Sequence, residues 1–299
     1  MGIIKASESP FIKEEWFKTG IMPLDYAIGK GLPKGRIVEI VGAKSSGKTT
    51  VVLEIIKEAQ KQGMVCAYAD AEQALDYNYA KSIGVDLDKL LLIQGEVGED
   101  YLDEIVALLE DKGADLIVLD SIDALLPRAM AEAVSEQQFI GAKARMLSKF
   151  LPKIVLPLRQ NKAIFLVVNQ QRMDIMTGRL TSSGGRALEY YKSVMIKLAP
   201  VSRLQQGAGV VGIKVKGVVE KNKVGAPFKQ FEFSILFGKG VSAEMGLIDA
   251  LLEEGILQKN GAWFLYNGEK LAYGLAKLRE KLEKEPELKA KLEYELQNM

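Results

Sequence analysis

Residues 42–50 read GAKSSGKTT, directly behind the apolar residues Ile37, Val38, Ile40 and Val41 and directly ahead of a helical pattern over residues 51–59. Strand, glycine-rich turn with Lys-Thr, then helix is the setting of a phosphate-binding loop, and it commits the chain to an α/β nucleotide-binding core. Each residue type has a reason. The glycines let backbone N–H groups approach phosphate oxygens, Lys48 reaches the outer phosphates, and the Thr49 hydroxyl can ligate Mg²⁺. The binding set read from the loop is Gly42, Lys44, Ser45, Ser46, Gly47, Lys48, Thr49 and Thr50. The bland alternative is a glycine-rich helix entry without a ligand, and the flanking strand and helix count against it. The loop implies a nucleoside triphosphate.

Strand-like apolar runs at residues 38–42, 65–69, 90–93, 116–120, 163–168 and 194–198 alternate with amphipathic helical stretches. That alternation predicts a mostly parallel sheet flanked by helices. Residues 215–219 and 231–237 alternate in the manner of antiparallel strands. Beyond Gly240 the pattern changes to a helix, the strand-like WFLY at residues 263–266, an Asn267-Gly268 turn and two charged helices split by Pro286. The expected organisation is a short N-terminal segment over 1–18, a core over 19–240 and a small α/β domain over 241–299. Phe11, Ile12, Trp16 and Phe17 in the first segment are too few for a domain and must dock on something.

Composition narrows the function. With 40 basic and 39 acidic residues the net charge is +1, so any polyanion site must come from local clusters. Such clusters occur at Arg172, Arg179 and Arg186, and again at Lys214, Lys216, Lys221, Lys223 and Lys229. A solvated face is the ordinary reading of such clusters. A glycine-containing loop with arginines beside a nucleotide site points instead to a polyanion. No histidine and one cysteine, Cys66, leave no zinc site and no cysteine–histidine pair, and Cys66 reads as a buried small hydrophobe. No run approaches the ~20 apolar residues of a membrane span. No membrane role and a cytoplasmic location are expected.

Three strand ends carry chemistry. Residues 116–120, LIVLD, deliver Asp120 to a sheet's carboxyl end, where it would hold Mg²⁺ with Thr49; capping the next helix is the alternative. Residues 65–69 lead to Asp70-Ala71-Glu72, and Glu72 is the best placed carboxylate to orient and deprotonate an attacking water, with Asp70 and Asp76 as rivals. Residues 167–170 end in Asn169-Gln170, and an amide there can sense a γ-phosphate and pass its state to the loop running to Gly185. A simple capping amide is the competing reading.

The stretches GRIVEIVGAKSSGKTT, YADAEQALDYNYAKSIGVD, LIVLDS, VVNQQRM, TSSGGRAL, EKNKVGAPFKQFEFSILFGKG and GAWFLYNGEK resemble, in this order, the RecA recombinase family of bacteria and phages. The resemblance extends over residues 20–273. It implies a RecA-like P-loop ATPase core with a small C-terminal domain, ATP and Mg²⁺ as ligands, and a homo-oligomeric helical filament with ATP at its subunit interfaces. Single-stranded and double-stranded DNA are the implied partners, and strand exchange with DNA-stimulated hydrolysis is the implied activity. By position it makes Glu72 the catalytic glutamate and Gln170 the γ-phosphate sensor. It places Asp76 and Tyr79 at the adenine, and it makes Lys221 and Lys223 the cations that reach a neighbour's ATP. The first DNA loop corresponds to residues 130–141 followed by Arg145, and the second to residues 171–185. Ile140 and Ile175 fall where the family wedges between base triplets; Arg145, Arg172, Gly184 and Gly185 fall at the DNA backbone. Ring-forming motors or regulatory ATPases of related fold, and a mediator that exchanges no strands, are the other classes considered. The first class is not expected to carry GAWFLYNGEK or the paired Gly184-Gly185 after such a loop; the full hydrolytic set argues against the second, which the short N-terminus keeps open.

The chain also departs from the family. The segment before Gly20 is short, so Phe11, Trp16 and Phe17 either replace a subunit contact or fold back on their own core. The second loop is about three residues shorter than usual by comparison of chain spacing. Tyr190 replaces a phenylalanine, and Glu189 stands where lysine is common. Pro152 and Pro157 predict a kink or break in a helix. The ending at Met299 without an acidic run predicts weaker autoinhibition of DNA binding.

Overall fold

The computed structural model describes residues 3–132, 141–173, 180–182, 185–206 and 209–297. Two short strands, β1 (Trp16–Phe17) and β2 (Leu32–Pro33), pair antiparallel around helix α1 (Met22–Ile28). The core follows as β3 (Ile37–Gly42), α2 (Lys48–Lys61), β4 (Cys66–Asp70), α3 (Tyr77–Ile83), β5 (Leu90–Ile93), α4 (Gly98–Glu110) and β6 (Leu116–Asp120). Next come α5 (Arg128–Ala131), α6 (Ala142–Asn161), β7 (Ile164–Met173), β8 (Leu180–Ser182) and α7 (Gly185–Tyr191). The long strands β9 (Val194–Gln206), β10 (Gly209–Asn222) and β11 (Gln230–Leu236) and the short β12 (Gly240–Val241) complete it.

The sheet runs β12-β11-β10-β9-β3-β7-β6-β4-β5, parallel from β9 to β5 and antiparallel from β9 to β12. Strands β3, β4 and β6 are buried along their whole length, as parallel strands covered on both faces must be. One face packs Val38, Ile40, Tyr68 and Val118 against the apolar side of α2; the other packs Ile37, Ala67, Ile117 and Phe165 against α4 and α6. The mostly parallel, helix-flanked sheet agrees with the sequence expectation.

A second, smaller core belongs to α8 (Ala243–Glu253), the three-stranded sheet β13 (Leu257–Asn260), β14 (Trp263–Tyr266) and β15 (Glu269–Tyr273), α9 (Leu275–Lys284) and α10 (Pro286–Gln297). Asn267 and Gly268 both have positive φ, as a tight hairpin turn requires.

Two expectations change. Helix α6 is continuous through Pro152 and Pro157. Its packed face, with Met146, Leu147, Phe150, Leu151, Ile154 and Leu158 buried, holds it to the sheet while Pro152 stays on the exposed side. Residues 171–173, expected as loop, continue β7 to Met173 and pair antiparallel with β8. The N-terminal segment folds back on its own subunit: Phe17 is buried, Phe11 lies under Arg159 at 5.1 Å, Glu14 pairs with Arg36 and Arg159, and Glu15 pairs with Lys162.

Candidate nucleotide site and nucleic-acid loops

The carboxyl ends of β3, β4, β6 and β7 lie side by side, and the loops leaving them build the site. Gly42 must be glycine, because a Cβ there would meet Ser46 Oγ at 2.4 Å and the Leu198 carbonyl at 2.5 Å. Gly47 heads α2 with φ +88°, and a Cβ would come within 2.4 Å of Ile235 Cδ1. At Gly42 the backbone carbonyl leaves no place for a side chain, while at Gly47 the left-handed φ disfavours one and the tip of Ile235 would have to move. Lys44, Ser45 and Thr49 are exposed, while Ser46, Lys48 and Thr50 are buried.

Lys48 Nζ donates to the carbonyls of Gly42 at 3.0 Å and Ala43 at 2.8 Å, which fixes it over the loop. Burial lowers its pKa, against the charges of Asp120, Glu72 and Asp123. Asp120 is 6% exposed. It accepts hydrogen bonds from Thr49 Oγ1 at 3.2 Å and from Tyr68 Oη at 2.8 Å. Burial raises its pKa, the Tyr68 bond opposes that, and the charge of Glu72 adds to it. Thr49 and Asp120 together present hard oxygens suited to Mg²⁺, and these two residues would hold it. Among the described residues there is no group of three or more acidic, histidine or cysteine side chains that could hold a metal ion.

Glu72 is exposed at the mouth of the site and accepts from Ser121 Oγ at 2.6 Å and Gln170 Nε2 at 3.0 Å. Its backbone is tied down, since the amides of Ala71 and Glu72 both donate to the Asp120 carbonyl. The rivals are spent on local structure. Asp70 accepts from the amides of Ala74 and Leu75, and Asp76 caps α3 through the amide of Tyr79 at 3.0 Å. Asp76 thus holds Tyr79, whose hydroxyl meets Thr50 Oγ1 at 2.9 Å.

Tyr79 forms one wall of a cavity of about 290 Å³, with Ser45, Gly47 and Thr50 as its floor and Ile213, Ile235, Phe237 and Gly238 opposite. Two aromatic residues and two isoleucines beside a phosphate loop suit a flat base. The four residues opposite come from β10, β11 and the turn after it. Sequence reading missed them, as it missed Tyr68 and Ser121; no local motif marks these positions, and only the strand order brings them to the loop.

Lys221 and Lys223 do not join this cluster. They lie where β10 pairs with the start of β9, at the opposite end of β3 from the phosphate loop. Lys221 donates to the Glu189 carbonyl and Lys223 to the Tyr190 carbonyl at 2.7 Å, both at the end of α7. Burial lowers the Lys221 pKa, with Lys223 and Lys192 adding to it. Ile140, Ile175 and Gly184 lie outside the described residues. The backbone of Arg172 pairs with Thr181 and its side chain is not described; Gly185 opens α7, and Arg145 is exposed in the first turn of α6.

Residues 2–242 match the RecA N-terminal domain and residues 245–299 match the RecA C-terminal domain. The chain belongs to the RecA family. The RecA protein of Salinispora tropica is 42% identical, over 98% of this chain and 86% of that protein. The RecA proteins of Streptomyces avermitilis and of a Sulfurovum species are each 43% identical, over 98% and 93% of this chain and 79% and 82% of theirs. The RecA relationship therefore takes in both cores and not the phosphate loop alone. No helix among the described residues is long and apolar enough to cross a membrane.

Proposed function

We propose that this chain is an ATP-dependent homologous recombinase that forms a filament on single-stranded DNA, pairs it with homologous duplex and exchanges strands. DNA-stimulated hydrolysis of ATP accompanies the reaction. The observation that carries this reading is the convergence of Lys48, Glu72, Asp120 and Gln170 at four adjacent strand ends in a chain that matches RecA over both domains.

In this reading the loop 42–50 binds the phosphates and the cavity beside Tyr79 takes the adenine. Thr49 and Asp120 would hold Mg²⁺, which supplies charge neutralisation at the phosphates. Glu72 takes a proton from the attacking water, and its bond to Ser121 Oγ keeps one oxygen aimed while the other remains available. Gln170 now donates to Glu72; a γ-phosphate, which carries more negative charge than one carboxylate, offers its amide a competing acceptor, and the transfer releases that hold on the base and shifts the chain that leads to the second loop. Lys221 and Lys223, remote from their own phosphate loop, are suited to act on a neighbour's nucleotide and stabilise developing charge there. Residues 130–141 and 171–185, with Arg145 and Arg172, form the DNA-facing loops. The cell compartment that suits this activity is the cytoplasm.

The test is ATP hydrolysis with and without single-stranded DNA, together with electron microscopy of the nucleotide-bound protein. Stimulated hydrolysis and helical filaments are expected. Hydrolysis indifferent to DNA, or closed rings in place of filaments, would sink the proposal.

A further inference from the structure

Strand β3 carries a glutamate, Glu39, at its centre, where every neighbour along the strand is buried and apolar. Glu39 is 0% exposed, and so are Lys192 and Asn169. A buried carboxylate needs compensation, and it has two partners: Lys192 Nζ donates to Glu39 Oε2 at 2.5 Å, and Asn169 Nδ2 donates to Glu39 Oε1 at 2.7 Å. Asn169 Oδ1 in turn accepts from the Gln170 backbone amide at 2.9 Å, and Gln170 Nε2 reaches Glu72 at 3.0 Å. At the other end Lys192 Nζ also donates to Glu189 Oε1, three residues earlier in α7. Glu189, a departure from the family's usual residue, is thus matched by a lysine that the same chain supplies.

The result is one unbroken polar line through an apolar layer: Glu189, Lys192, Glu39, Asn169, Gln170 and Glu72. It begins on α7, the helix that leaves the second DNA loop, and ends at the carboxylate beside the phosphate loop. The layer around it is packed, with Leu188, Ile37 and Val167 buried on the same side of the sheet. A shift of α7 therefore cannot be absorbed by solvent at Lys192. Because Lys192 directly follows α7, a shift that moves its backbone either drags Glu39 and Asn169 along or breaks the fully buried Lys192–Glu39 pair, whereas the pair with half-exposed Glu189 can yield to water.

We propose that Lys192 is a coupling residue, which passes the position of α7 to the sensor Gln170 through Glu39 and Asn169 and so sets DNA stimulation of hydrolysis, not the basal rate. The proposal rests on the recombinase reading, because it assumes that DNA and nucleotide influence one another.

The test uses the full chain and the paired substitution Glu39→Gln with Lys192→Met. It removes both charges together at similar volume, so no lone buried charge remains, and the side-chain amide introduced by Glu39→Gln can still accept from Asn169. ATP hydrolysis without DNA and the ATP KM should stay close to those of the wild type. The factor by which single-stranded DNA stimulates kcat should fall by about tenfold, within the range of site-to-site coupling. A structural role alone would move the unfolding midpoint and leave that factor intact. Stimulation in the paired variant equal to that of the wild type would overturn the coupling. A wild type indifferent to DNA would sink the recombinase reading itself, and the coupling with it. If the paired variant does not fold, hydrogen exchange on the unaltered chain decides. Adding single-stranded DNA without nucleotide should change protection in residues 185–191 and in residues 164–173 together; a change in the first stretch with none in the second would overturn the proposal.

Discussion

Replacing Tyr68 by phenylalanine removes a single oxygen from the buried strand β4. The ring is 1% exposed, and its hydroxyl donates to Asp120 Oδ2 at 2.8 Å. A hydrogen bond to a charged acceptor contributes about 1.5–3 kcal/mol. At about 1.4 kcal/mol per decade, its loss is ~10- to 100-fold in any equilibrium that needs Asp120 ionised and aimed. In the proposed site, Mg²⁺ binding beside Thr49 would be that equilibrium. Burial already pushes the Asp120 carboxyl up, and the Tyr68 bond is the larger of the two hydrogen bonds opposing it. Without that bond the pKa rises further, so a proton competes with the cation over a wider acidic range. The assay is DNA-stimulated ATP hydrolysis as a function of Mg²⁺ concentration at about pH 6.5 and about pH 8.5, on either side of neutrality. The Mg²⁺ requirement of Tyr68→Phe should rise by about tenfold or more at the lower pH, as for outer partners of metal ligands, and by less at the higher pH. Turnover at saturating Mg²⁺ should change little. An unchanged requirement at both pH values, or a larger effect at the higher one, would refute the reasoning.

Other outcomes follow from the same geometry. Glu72→Gln should retain ATP binding and lose about 10²- to 10⁴-fold in turnover, the usual contribution of a general base, as single-turnover kinetics would show. Gly47→Ala should weaken nucleotide binding in an equilibrium titration, because φ +88° is strained for any residue with a Cβ, which would also have to displace the tip of Ile235 from 2.4 Å. Phe17→Ala should destabilise the isolated chain by about 3–5 kcal/mol in urea unfolding, the cost of emptying a buried aromatic site. If Phe17 served only a neighbouring subunit, the isolated chain would lose nothing. Asp25 is 5% exposed, and burial raises its carboxyl from 3.8 to about 6, against the Thr19 bonds. A raised folded-state pKa favours the protonated fold, so this contribution is complete below about pH 3.8 and lost as pH rises through about 6, by up to about 3 kcal/mol. The stability difference between wild type and Asp25→Asn should therefore change between those pH values; a flat difference would refute the assignment.

The parts legible in the sequence share a physical origin. Asp120 and Gln170 each end a continuous apolar run, and in a parallel sheet such runs end where ligands bind. The phosphate loop was legible because its glycines answer steric demands that no other residue meets. Tyr68 and Phe237 were not legible. Each owes its place at the site to strand order, and strand order depends on pairings between residues far apart in sequence. The segment after Gln170 reads as loop because Gln171-Arg172-Met173 and Leu180-Thr181-Ser182 carry little alternation, yet they pair as β7 and β8. Backbone hydrogen bonds, rather than side-chain pattern, decide that hairpin. Glu39 did leave a signal, a lone charge within IVEIV, whose meaning depends on finding Lys192 more than a hundred residues away.

The carbonyl end of α7 already occupies the ammonium groups of Lys221 and Lys223. A helix terminus of this kind carries partial negative charge. If Lys221 and Lys223 serve a neighbour's nucleotide as proposed, the free subunit holds a substitute for that phosphate within its own fold. Engaging a neighbour's triphosphate would be an exchange of one negative partner for another, and the net gain would be their difference, well below the full attraction of two cations for phosphate. Such an interface is reversible by construction: when the phosphate departs, the helix end is there to take the lysines back.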